Sequence, residues 1–147
     1  MGQQQLLLLV LATVIVGLAT VAGIQAFDEN QAQASQDALT AKGTSIASDI
    51  KGLEAKPVQL GGIDLSASAD ADKIANKLGY EGKTVDAPGA GQTGECTIGT
   101  GTGTATITCD SDDSPQTVTV TFDPSKADGE QVSTTFSSSS GGGDGDA

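Results

Sequence analysis

Cys96 and Cys109 are the only cysteines among 147 residues, twelve residues separate them, and the chain has no histidine. Structural zinc takes four nitrogen or sulfur ligands, so two thiols alone do not build such a site. The chemistry open to the pair is a disulfide. Around them, Glu95–Thr100 and Thr104–Cys109 alternate in the period of two that marks strands. A turn at Thr102-Gly103 sets Cys96 opposite Cys109, Ile98 opposite Ile107 and Thr100 opposite Ala105, all on one face. Directly opposed Cα atoms lie ~4.5–5.5 Å apart in antiparallel pairs, and a disulfide wants ~4.4–6.8 Å. The register that buries the isoleucines therefore brings the sulfurs together. A closed loop of about 14 residues is worth roughly 3 kcal/mol in the chain-entropy account.

Carboxylates are the second candidate. Asp110, Asp112 and Asp113 crowd the stretch after Cys109, and Asp123 and Asp128 follow. Flexible, oxygen-rich loops suit Ca²⁺. The spacing matches no EF-hand, and a solvated acidic turn is the plainer reading; calcium is carried as the alternative. Other chemistry is missing. Without histidine there is no histidine-based triad or histidine-held metal. The glycines at Thr100–Gly103 lack the Gly-Lys-Ser/Thr of a phosphate loop and sit between strands. The expectation is a protein that is not an enzyme and has no cofactor, calcium apart.

These groups must be positioned by a small head. Beyond the cysteine hairpin, strands are expected at Lys83–Asp86, Gln116–Phe122 and Gln131–Phe136, where Val and Thr alternate between Gly, Asp, Ser and Pro. A short helix is expected over Ser66–Leu78, with Ala71, Ile74, Ala75 and Leu78 on one face and Gly79 as its stop. Gly61-Gly62 makes a turn. Upstream, Ala32, Leu39, Ile46 and Leu53 recur every seven residues, with Ile50 beside them, so 28–56 reads as an amphipathic helix ended by Pro57. Its stripe suits packing under the sheet, with Gly43 a weak point. The head takes 57–136, and 137–147, all Ser, Gly, Asp and Ala, reads as a disordered tail.

The whole chain has three Phe, one Tyr and no Trp, which leaves the head a thin core that calls for a staple. A disulfide in turn implies an oxidising compartment. Net charge is −12, from 19 acids against seven lysines and no arginine, which excludes the basic patch that nucleic acid requires.

The N-terminal 27 residues are of another kind. Leu6–Phe27 is uncharged and predominantly apolar, and about 22 helical residues span ~33 Å against a hydrocarbon core of ~30 Å. A cleaved secretory signal would need a basic n-region, and the first cation is Lys42. Myristoylation would want Ser or Thr where Leu6 stands. A permanent single-span anchor fits by length. A span held in the membrane for a time and then packed against copies of itself fits by length and by its small residues. Ala12, Thr13, Gly17, Ala19, Thr20, Ala22 and Gly23 permit close helix approach.

Met1-Gly-Gln-Gln-Gln-Leu-Leu-Leu-Leu-Val-Leu, Val14-Ile-Val-Gly-Leu-Ala, Gly23-Ile-Gln-Ala-Phe and Asn30-Gln-Ala-Gln-Ala together resemble the N-terminus of type IV pilin-like proteins, in particular a short-leader, Bacteroidota-type group. The resemblance covers residues 1 to about 62. It implies an α+β subunit with a long N-terminal helix on a small antiparallel sheet. That subunit would assemble through Gln5, Leu6, Leu9, Val10, Gly17, Gly23 and Phe27 into the central helical bundle of an extracellular filament. It also implies an inner-membrane stage, a pilus assembly machinery and other copies of the chain as partners. A pseudopilin of a secretion system and a membrane-anchored surface protein are the alternatives. Standard pilins have a basic leader and a glutamate at the fifth mature position. Here the fifth residue is Gln5, or Leu7 counting from a cut after Gly2. Gln3, Gln4 and Gln5 are expected to hydrogen-bond between neighbours instead, since a neutral amide avoids burying an unpaired charge.

Overall fold

The computed structural model describes residues 2–67 and 69–138. Helix α1 spans Gly2–Glu54, a short 3₁₀ turn follows at Val58–Leu60, and α2 is Ala71–Leu78. Five strands complete the fold: β1 Thr84–Asp86, β2 Glu95–Gly101, β3 Thr104–Asp110, β4 Gln116–Phe122 and β5 Val132–Ser138. They form one antiparallel meander in chain order. The class is α+β, as the pattern of elements implies. The chain divides into two compact units, Met1–Ala32 and Gln33–Ala147.

In the second unit, the part of α1 from Gln33 onward lies on one face of the sheet. Ser35, Leu39, Gly43, Ile46, Ala47 and Ile50 are its buried residues, one stripe at helical spacing. Ala32 and Leu53, at the ends of the expected heptad, are only half-buried. The sheet contributes alternate residues: Cys96 and Ile98 from β2, Ala105, Ile107 and Cys109 from β3, Val118, Val120 and Phe122 from β4. Ile63, Leu65, Ile74 and Ala75 complete the same core from the segment around α2.

Gly43 is not the weak point that helix propensity suggests. A Cβ there would stand 2.9 Å from Val120 Cγ2 and 3.1 Å from Cys109 Sγ. Its missing side chain lets the helix settle onto the sheet at the disulfide. Gly62 is tighter still: a Cβ would lie 1.9 Å from the Lys56 carbonyl oxygen. Around it the Gly62 and Leu60 N–H groups donate to the Pro57 carbonyl, and that of Ile63 to Leu53.

Several boundaries differ from the sequence reading. Helix α2 starts at Ala71 rather than Ser66. Asp70 caps it, accepting from the Asp72 N–H at 3.1 Å, while the Ser66 N–H and hydroxyl are turned onto Asp64 Oδ1. Local side-chain bonds of this kind compete with helix. At its other end Gly79 takes the left-handed conformation (φ 89°) and donates back to Ala75 and Asn76, as the stop signal implies. Helix α1 ends at Glu54, short of Pro57. Strand β5 includes Ser137 and Ser138, which pair with Thr117 and Gln116; the rest of the expected tail lies outside the described residues.

Replacing Gly43 with Ala pushes a methyl into Val120 and Cys109 Sγ, and overpacking of this kind costs about 1–3 kcal/mol. Chemical denaturation of the full chain in detergent, followed by circular dichroism, is expected to show that loss. Gly17→Ala, with open space around it, is expected to leave the same transition unchanged.

Candidate functional site

The sequence singles out three places for function: the cysteine hairpin, the acidic loop after it, and the N-terminal helix. The structure treats them differently.

The hairpin forms in the expected register, with Cys96 opposite Cys109, Ile98 opposite Ile107 and Thr100 opposite Ala105. Cys96 and Cys109 are disulfide-bonded, with Cα atoms 4.0 Å apart, nearer than the spacing expected for opposed residues. Both are fully buried beneath α1 at Gly43. A sulfur pair closed off from solvent by a helix is a brace; it presents no thiol for exchange.

The acidic loop does not gather into a cation site. Among the described residues, no group of three or more acidic side chains converges to hold a metal ion. Asp110 stands opposite Glu95 at the end of β3, and Asp112 and Asp113 are exposed, the Asp113 carboxylate lying against Gly91. The loop is held by hydroxyls instead. The Ser111 hydroxyl donates to the Ala90 carbonyl and accepts from the Asp113 N–H, and Thr93 Oγ1 accepts from the Asp112 N–H at 2.9 Å. Ser111 and Thr93 carry this role unannounced by the sequence, because isolated hydroxyls in a polar stretch give no periodic signal. Asp123 serves a turn of its own. Its Oδ1 accepts from the Ser125 hydroxyl at 2.5 Å and from the Ser125 N–H at 3.0 Å. The hydroxyl first, and then the N–H, hold the Asp123 carboxyl below the usual carboxylate range; Ser66 does the same to Asp64.

The first unit is helix throughout its described length, and every side chain from Gly2 to Gln31 is exposed. Thirteen large apolar residues from Leu6 to Phe27 leave 53–70% of their surface open. Six consecutive apolar residues, Leu6–Leu11, advance by about 100° each and so cover every side of the helix. No single partner face can bury them all. The polar atoms of the span are handled internally: the Thr13 hydroxyl donates to the Val10 carbonyl and that of Thr20 to Val16, both at 2.8 Å. Gly17 and Gly23 have open space where a Cβ would stand, so no contact among the described residues accounts for them. At about 100° per residue, Gln5, Leu6, Leu9, Val10, Gly17, Gly23 and Phe27 fall within one sector roughly 140° wide. A shallow apolar depression on the helix surface is lined by Leu9, Ala12, Thr13, Val16 and Gly17. The whole stretch is long and apolar enough to cross a membrane. A membrane span is compatible with these facts.

No family model matches the chain, and neither the curated proteins nor the solved structures compared with it contain a match.

The Asp123 turn gives a pH dependence of definite sign. A carboxyl depressed in the folded state stabilises the fold above its unfolded pKa, near ~4, and loses that contribution as pH falls through the lower folded value. Ser125→Ala removes the leading cause. NMR titration of the Asp123 carboxyl is expected to shift upward in this variant, and the stability gap to wild type is expected to close in acid. The melting temperature is expected to be equal in millimolar Ca²⁺ and in EDTA; a rise with Ca²⁺ would restore the cation reading of Asp110, Asp112 and Asp113.

Proposed function

We propose that the chain is the structural subunit of an extracellular, type IV pilus-like filament, assembled through its N-terminal helix into a central bundle. The observation that carries the reading is the uncovered apolar helix, 13 large apolar side chains open on all sides, in a chain that also carries a disulfide-braced acidic head. Burying them at ~1.5 kcal/mol or more each is worth on the order of 20 kcal/mol as an upper bound, shared among neighbours. Lipid and surrounding helices both meet the requirement that such a surface be covered on every side. A bundle also gives Gly17 and Gly23 a purpose, as places where neighbouring backbones approach closely. The route runs through the inner membrane, with an assembly machinery extracting the helix. In that bundle Gln5 would make amide contacts where standard pilins place a glutamate.

The second reading is a single-span anchored surface protein, supported by the length of the span alone. A pseudopilin of a secretion machine shares all the features of the first.

Shearing surface filaments from cells and finding this chain as their main component supports the first reading. Recovery only as a detergent-soluble monomer supports the second. The N-terminal mass of the mature chain, beginning at Met1 or at Gln3, decides whether a Met1-Gly2 leader is removed. Gly17→Leu and Gly23→Leu separate the readings further. A filament is expected to lose about tenfold or more of its assembled fraction, the equivalent of ~1.4 kcal/mol. An anchored protein is expected to tolerate both, since lipid accommodates leucine.

A further inference from the structure

The two edges of the sheet are built differently. Strand β1 is three residues long, follows Lys83 and ends in the carboxylate of Asp86. Short, charged edge strands resist further pairing. Strand β5 is seven residues long and has neither a charge nor a proline. No described strand pairs with its outer side. In a chain of net charge −12, everything from Gln131 to Gly143 is uncharged, while the loop before it carries Asp123, Asp128 and Glu130 against Lys126.

One step beyond the Phe122–Val132 pair, the Asp123 N–H donates to the Gln131 carbonyl at 2.8 Å. Antiparallel ladders alternate between hydrogen-bonded and open pairs. Ser133, Thr135 and Ser137 therefore turn their N–H and C=O groups toward β4. Those of Val132, Thr134, Phe136 and Ser138 turn to the free edge. The same four residues carry their side chains on the core side of the sheet, opposite Phe122, Val120, Val118 and Gln116. Val118 is fully buried, yet Phe136 beside it leaves 51% of its surface open. Helix α1 seats on Cys109 and Val120, and its cover thins out beyond β4. Among the described residues, no other strand residue is a large apolar side chain left exposed. Strand β5 is thus open in two ways at one place: a row of free backbone donors and acceptors, and a half-open aromatic ring on the core side.

We propose that β5 pairs with β5 of a second copy, antiparallel, about a two-fold axis at Thr135. A covering strand must supply ladder groups, add no charge, and bring an apolar side chain to the core side. Strand β5 itself meets all three requirements. Residues 139–147 are Ser, Gly, Asp and Ala, and none of these offers a large apolar side chain to Phe136. The antiparallel sense follows from charge. Each acidic loop then lies at the serine end of the other strand, whereas parallel strands would set Glu130 against Glu130.

The register follows from the backbone. An axis at Thr135 sets Val132 opposite Ser138 and Thr134 opposite Phe136. Every free-edge residue then meets a free-edge residue, for about eight N–H···O bonds. The two Phe136 rings become diagonal neighbours, ~7–8 Å apart at the backbone and within reach of each other. The result is one continuous sheet with the head portions of both α1 helices on the same side. Such a contact is isologous and closes at two copies. It belongs to the head alone and stands apart from the filament reading.

Single cysteines in the full chain, in detergent with an added oxidant, test the pairing. The native cysteines are already joined and buried, and Ser133, Thr135 and Ser137 are exposed. Thr135→Cys is expected to give a disulfide-linked dimer, because the axis residue faces its own copy in an open pair with Cα atoms ~4.5 Å apart. Ser133→Cys and Ser137→Cys each lie four residues, ~13 Å, from their own copies, beyond disulfide reach. Each alone is expected to cross-link about tenfold less, and an equimolar mixture of the two is expected to cross-link, since Ser133 faces Ser137. Adding Phe136→Lys to Thr135→Cys places a charge on the edge and is expected to cut the dimer about tenfold. An unchanged melting curve shows that each variant folds. A Thr135→Cys chain that stays monomeric overturns the pairing. Equal cross-linking of all three single cysteines also overturns it, because random encounters in micelles give that result, and so does cross-linking indifferent to Phe136→Lys.

Discussion

The seat of α1 on the disulfide at Gly43 is the contact on which the head depends. Helix and sheet come together there because the one position facing Cys109 Sγ and Val120 has no side chain. The disulfide beneath it locks β2 to β3 in the register that turns Ile98 and Ile107 inward. A shift of one residue would present the intervening threonines to the core instead. Once that hairpin is set, β4 adds Val118, Val120 and Phe122 to the same face, and Leu39, Ile46 and Ile50 find a surface complementary to their stripe. With one Phe among its fully buried side chains, the core is built of medium-sized aliphatics, and a small domain of that kind gains most from a covalent staple.

The chain keeps its apolar residues in two places under opposite rules. In the head they follow a stripe and a period of two, and each side chain has an inside to face. In the first unit they have no inside: Leu6–Leu11 alone cover every side of the helix. A one-sided stripe is satisfied by the chain's own sheet. An all-round one is satisfied only by something that surrounds it, which the described fold does not supply. The two glycine classes follow the same division. Gly43 and Gly62 are explained by atoms a few ångströms away, whereas Gly17 and Gly23 have none among the described residues.

Much of this was legible because it rests on periodicity. Alternation in 95–109, with Thr102-Gly103 at the turn, was enough to place both sulfurs and both isoleucines in register. Heptad spacing placed Leu39 and Ile46 in the core. What escaped was aperiodic. The start of α2 was settled by two local side-chain bonds: Asp64 holds Ser66 in a turn of its own, and Asp70 caps the helix at Asp72. Gly43 looked like a defect because propensity scales price a glycine as if nothing approached it. Its place between Leu39 and Ile46, in phase with the buried stripe, was the signal that it faced the core. The ties that hold the acidic loop are aperiodic as well. Asp110, Asp112 and Asp113 are close in sequence, but strand β3 ends at Asp110 and the turn after it is held by the Ser111 and Thr93 hydroxyls.

The same alternation explains how a head this acidic folds at all. Carboxylates at Asp86, Glu95 and Asp110 occupy outward positions of their strands, so the core never has to desolvate them. Their repulsion is spread along the solvent face, where salt screens it. The inward face of the same strands is closed by sulfur and aliphatic carbon within one residue of each charge: Val85 beside Asp86, Cys96 beside Glu95, Cys109 beside Asp110. Strand geometry thus lets one hairpin end serve as the tightest point of the core on one side and the most anionic surface of the head on the other. The covalent link at Cys96–Cys109 sits directly behind the Glu95–Asp110 pair and joins the two strands that carry those opposed charges.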